Sequence, residues 1–236
     1  TNDVKEVRVF YALTFLHDCR FADLPAPARR YLETVLAPGQ PPVEVVRLTQ
    51  TGDFRLGDAD APWLDFEATQ VVSVGPPGFV WDARIRMAPL VTTRVLDAYV
   101  AGRGRLRAAL FGAVPVANAG PDPSMNEAEL QRYLSETPWF PTALLPSAGV
   151  TWEGIDDERA RATLVDDDVR ASVVFHVDAD GYVRRLTAER YRQDAGDRGA
   201  WEGRYRAYEE RNGLVIPTAA EVGWVTDDGF APYWRG

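Results

Sequence analysis

Cysteine is almost absent from this chain: Cys19 stands alone, which excludes an intramolecular disulfide. Histidine is nearly as scarce. His17 and His176, with no cysteine pair to join them, cannot assemble the usual zinc site, so no metal is expected. Long apolar runs are missing too. Val7 to Leu16 is the closest approach, but about ten residues cannot cross a bilayer, and no small-residue cleavage site follows it. His17 and Asp18 stand where lipoprotein processing requires small side chains. A stable membrane span is therefore not expected, and a cytoplasmic location is compatible with this reading. Excess basic charge is lacking as well: the formal charge of −9 argues against a broad nucleic-acid footprint, which needs a basic face to displace counterions from phosphates.

Several catalytic signatures are also wanting. There is no G-x-S-x-G elbow. Gly102-Arg103-Gly104 lacks the third glycine and the strand-to-helix setting of a dinucleotide loop, so no cofactor is expected. The run Asp166-Asp167-Asp168 misses the spacing of an EF-hand.

What the chain has is aromatic and apolar mass, with 46% hydrophobic residues in a length able to bury an independent core. No linker-like stretch divides it. We read residues 1–22 as an N-terminal segment open to a strand or a helix, and 23–236 as one domain.

From Val43 onward the apolar period is two. Phe79, Trp81, Ala83, Ile85 and Met87 share one face of a strand, while Asp82, Arg84 and Arg86 share the other. Arg105 to Val116 reads as one strand, and Asn212-Gly213 and Asp228-Gly229 mark hairpins. About eleven strands at meander spacing predict an α+β fold: a large curled antiparallel sheet, or half-barrel, with one or two helices covering its concave side.

Two stretches interrupt the strands. Tyr31, Leu32, Val35 and Leu36 form a helical stripe stopped by Pro38-Gly39. Ser124 to Pro146 predicts a second helix, capped by Asn126 and Glu129 in a capping box and ended before Pro138, then an aromatic and proline strap.

Two kinds of site follow. Trp81, Tyr133, Trp139, Phe140 and Leu144 either pack as core or line a cavity for an apolar or amphipathic ligand, with Arg84 and Arg132 available for an anionic head group. Glu129, Arg132 and Glu136 share one helix face. If charged faces turn inward, Asp82 or Glu129, with His176, becomes a candidate for general acid and base work; if outward, they are solvated ion pairs. The expected partner is an apolar or amphipathic small molecule, with a cofactor-independent enzyme as the alternative.

From Leu24 to Trp234 the chain resembles a bacterial family of uncharacterised proteins, a domain of unknown function that often follows a membrane-anchoring helix. The runs that carry the likeness include Leu24-Pro25-Ala26-Pro27-Ala28-Arg29-Arg30-Tyr31, Pro77-Gly78-Phe79-Val80-Trp81-Asp82-Ala83-Arg84 and Trp139-Phe140-Pro141-Thr142-Ala143-Leu144-Leu145-Pro146. The resemblance implies an extracytoplasmic location, although residues 1–20 differ from the family's usual anchor. The architecture is similar, more distantly, to half-barrel lipoprotein carriers that shield acyl chains.

Overall fold

The computed structural model describes residues 6–11, 21–57, 60–192 and 195–236; His17 and Cys19 lie outside them. Alternation of apolar and polar residues builds a meander from β2 (Val43–Arg55) through β3 (Trp63–Ser73), β4 (Gly78–Ala88), β5 (Val91–Val100) and β6 (Arg103–Leu110) to β7 (Val114–Ala119). Helix α2 (Pro123–Glu136) and a run of 3-10 turns from Thr137 to Ala148 then lead to a second meander. This comprises β8 (Thr151–Gly154), β9 (Arg159–Asp166), β10 (Val169–Val177), β11 (Val183–Arg192), β12 (Asp197–Arg211), β13 (Leu214–Thr226) and β14 (Gly229–Arg235).

All neighbouring strands are antiparallel, and the two meanders fuse where β14 pairs with β2, through Trp234 opposite Phe54. The sheet therefore runs from β7 to β8 as its free edges and does not close. Gly52 lies at the fusion point, where a Cβ would collide with the Arg235 carbonyl oxygen. Thirteen strands, rather than about eleven, make this path among the described residues, and β1 (Glu6–Tyr11) adds to the free stretch of β2.

The undercount has a local cause. Arg105 to Val116 is two strands, broken at Phe111-Gly112, where both residues take left-handed φ values of 52° and 70°. Phenylalanine rarely adopts that conformation, so Gly112 was left to mark the turn by itself.

Helix α1 (Ala26–Val35) starts with Pro27 in its first turn and buries Tyr31, Leu32 and Val35. Leu36 leaves the helix and forms a β-bridge with Leu214. Helix α2 packs mainly on β10 and β6, with further contacts to β4, β5, β9 and β11, so the curled sheet has walls on both sides of it. Its cap differs from the one expected. Asp122 accepts a hydrogen bond from the Met125 amide at 3.0 Å, and Asn126, inside the helix, accepts one from the Gly104 amide at 2.8 Å.

At Gly104 the helix comes close to β6. A Cβ there would sit 2.5 Å from the Met125 oxygen and 3.0 Å from Glu129 Cγ. Gly104→Ala is expected to push the first turn of α2 away from β6 and to lower stability by about 1–3 kcal/mol in a urea melt.

One core cluster runs through both meanders and α1, α2 and the strap. Phe66 contacts Trp81 at 6.0 Å and Trp234 at 5.6 Å, and Trp139 contacts Trp234 at 6.3 Å and Tyr205 at 6.2 Å, a chain of rings from β4 to β12.

Candidate functional site

Under α2 the core turns polar. The helix spacing that aligns Glu129, Arg132 and Glu136 points all three away from solvent, and each is buried or nearly so. The Arg132 guanidinium donates to Glu136 at 2.8 Å and to Asp97 on β5. It also lies 4.8 Å from the Phe79 ring centre and 5.1 Å from that of Trp81.

A line of donors continues from there. Gln70 donates to Glu136, Gln50 to Gln70 at 3.4 Å, and the Trp81 indole N–H to Gln50 at 2.8 Å. On the other wall Arg190 of β11 donates to the Ala128 carbonyl at 3.2 Å, stacks 5.5 Å from the Trp201 ring and approaches Glu129 at 4.0 Å.

Two buried carboxyl oxygens in this cluster, Asp97 Oδ1 and Glu129 Oε2, have no hydrogen-bond partner among the described residues. The charges explain the consequence. Burial, then repulsion from Asp97, pushes the Glu129 carboxyl up to about 8, against the pull of Arg132 and Arg190. At 4.0 Å the Arg190 guanidinium is too distant to hydrogen-bond, so its attraction loses to desolvation. Burial likewise raises Asp97, although Arg132 and Arg190 oppose it. Burial alone would lower Arg132, yet Glu136, Asp97 and Glu129 hold it above its ordinary value. Two guanidinium groups thus face three carboxyl groups, and burial favours the neutral, protonated form of Glu129.

The remaining sequence candidates fall elsewhere. Asp82 points outward on β4, where hydrogen bonds of 2.8 and 2.6 Å from Arg94 hold it below the usual carboxylate range. It does not meet Glu129. Arg84 is exposed on that same outer face. The alternation of β4 puts Phe79, Trp81 and Ala83 inside, so Asp82 and Arg84 can only face out.

His176 is on the outer face of β10, with Nε2 3.0 Å from the Thr187 hydroxyl and Nδ1 3.1 Å from Arg185. Neither partner is a carboxylate. Burial and the charges of Arg185 and Arg159 pull its pKa down to about 4, so the ring is neutral. An open cleft of about 520 Å³ includes His176, Arg185, Arg204 and the buried Glu202, whose carboxylate accepts from Arg204 at 2.6 Å. Tyr133, Trp139, Phe140 and Leu144 are all buried side chains of the core, and the Trp139 indole donates to the Pro217 carbonyl at 3.1 Å.

A second open cleft, of about 680 Å³, lies where β10 and β11 splay apart beyond Val174 and Thr187. There Gln131 of α2 replaces the missing ladder, donating its amide to the Ser172 carbonyl at 3.0 Å and the Glu189 carbonyl at 3.2 Å.

Asp97, Arg190, Gln50 and Gln70 were missed as site residues, and each left a signal. Asp97 shares its face with Tyr99, Gln50 with Leu48, Gln70 with Ala68 and Val72, and Arg190 with Leu186 and Ala188, all on the apolar side of their strands. A polar residue in an inward register is the informative exception to alternation.

Among the described residues no group of three or more His, Cys, Asp or Glu side chains is arranged to hold a metal ion, and no helix is long and apolar enough to cross a membrane. Residues 22–236 match the model of a family whose description is a family of unknown function, DUF6920. No curated protein and no solved structure matches the chain.

Proposed function

We propose, from the premise that this chain belongs to the family of unknown function DUF6920, that it binds a lipid-like amphipathic ligand. In this reading the curled sheet serves as a half-barrel, and α2 with the strap from Thr137 to Ala148 is a cover over its concave side. The observation that carries the reading is the charged cluster between cover and wall. A buried ion-pair network seldom stabilises a fold more than apolar side chains of the same volume would. Here Asp97, Glu129, Arg132 and Arg190 lie against Phe79, Trp81 and Trp201, with two carboxyl oxygens unpartnered.

An amphipath's head group would exchange for these ionic contacts, and its chain for the contacts of Phe140 and Leu144. Asp97, Glu129, Phe140 and Leu144 are all buried under α2 and the strap, so entry requires that cover to lift. Native mass spectrometry of the purified chain is expected to show co-purified lipid, and a fluorescent fatty acid is expected to bind saturably and be displaced by unlabelled fatty acid. Finding neither would sink the proposal.

One observation favours a second reading, an enzyme without a cofactor. Glu129, with its pKa near neutrality and an unpartnered oxygen, has the properties of a general acid or base. Under that reading Glu129→Gln abolishes turnover of the bound amphipath; under the first there is no turnover to lose.

A further inference from the structure

In a chain where 26% of residues are charged, two neighbouring stretches have none. Residues 87–93 form the β4–β5 hairpin tip, and residues 108–121 form the β6–β7 tip and the free edge strand β7. Both tips are apolar. Leu90 is 96% exposed and Phe111 59%, with Val114 and Val116 equally open beside them. The tips adjoin, because the Phe111 amide donates to the Thr92 carbonyl at 2.8 Å and Thr93 pairs with Leu110.

Neither burial nor backbone geometry accounts for these residues. Leu90 and Phe111 occupy left-handed turn positions, φ 67° and 52°, which glycine or asparagine would fill with less strain. A large apolar side chain kept in such a place, in water, marks an interaction site.

The face behind the tips says what it fits. On the outer side of β3 to β6 stand Arg84, Arg86, Arg94, Arg103, Arg105 and Arg107, against the acids Asp65, Glu67 and Asp82. Asp65 and Asp82 are held by Arg86 and Arg94. Arg103, Arg105 and Arg107, in a row on β6, have no acidic partner among the described residues. A net-basic face within a chain of formal charge −9, bordered by two apolar tips, is complementary to a surface that is anionic outside and apolar beneath.

We propose that the β4–β5 and β6–β7 tips, together with the arginine row of β6, dock the protein on an anionic lipid bilayer, Leu90 and Phe111 entering the interface and the arginines meeting head groups. This site is separate from the cluster under α2 and stands whether or not that cluster takes a ligand.

Co-sedimentation with large vesicles tests it. The full chain is expected to pellet with phosphatidylcholine vesicles that contain phosphatidylglycerol, to bind pure phosphatidylcholine several-fold less, and to be released by salt. Leu90→Ser with Phe111→Ser is expected to abolish pelleting with little change in the thermal melt, because both side chains are mainly exposed. Arg103→Gln, Arg105→Gln and Arg107→Gln together are expected to remove the preference for phosphatidylglycerol. Full binding by the tip variant would overturn the proposal, as would a wild-type chain that stays in the supernatant with both vesicle types. So would sedimentation equilibrium showing a dimer that the tip variant dissociates, since the tips would then belong to self-association.

Discussion

Arg132→Met is expected to destabilise the chain strongly, by about 3–5 kcal/mol in a denaturant melt. The guanidinium bridges Asp97 on β5 and Glu136 on α2, and it stacks on Phe79 and Trp81. Methionine keeps much of the volume but leaves Asp97 and Glu136 without their counter-ion in a low-dielectric setting. Adding Asp97→Asn and Glu136→Gln to Arg132→Met is expected to recover a large part of the loss, because the neutral amides are cheaper to bury. A triple variant as unstable as the single one would show that packing, not charge, sets the cost.

Glu129→Gln is expected to act in the opposite direction and through pH. The Glu129 carboxyl titrates near 8 in the folded chain and near 4.5 when unfolded. Between those values the folded state binds the extra proton, so this group makes stability fall as pH rises, by at most about 1.4 kcal/mol per pH unit, with no further change above 8.

His176 contributes with the other sign. Its pKa is about 4 folded against 6.5 unfolded, so over that interval the unfolded state binds the extra proton and stability rises with pH. From pH 6.5 to 8 the Glu129 contribution is therefore free of His176. The wild-type midpoint should drop across that window, and Glu129→Gln should flatten the drop and melt higher at pH 8. A variant with the wild-type slope would mean that the carboxyl is already ionised when folded.

The strand periodicity of β4 was legible because Trp81, Ala83 and Ile85 alternate with Asp82, Arg84 and Arg86, and it put Asp82 and Arg84 opposite the core. The helix face of Glu129, Arg132 and Glu136 was legible from spacing alone. Its direction was not. A triad of charges on one helix face ordinarily faces water, and only the walls of β5 and β11 around α2 turned it inward. The cap of α2 was misplaced because Asn126 suits a cap as well as Asp122 does; the choice went to Asp122 once Asn126 was taken by the Gly104 amide. The turn at Phe111 was hard to read because an apolar residue fills its first left-handed position and Gly112 stood without a second turn residue, while pairing of β6 with β7 holds the bend.

Membership of a β-rich fold, the run of hairpins, both helices and the absence of a metal or nucleotide signature all follow from the chain's own period, turn residues and composition, since these depend on neighbours a few residues apart. The fusion of β14 to β2, the inward turn of the α2 charges, the arrival of Asp97 and Arg190 beside Glu129, and the exposure of Leu90 and Phe111 on adjoining tips were decided only in three dimensions. Each joins residues far apart in sequence or on separate elements, and the free energy that selects them, desolvation of a carboxyl or exposure of a leucine, exists only when the surrounding walls are in place.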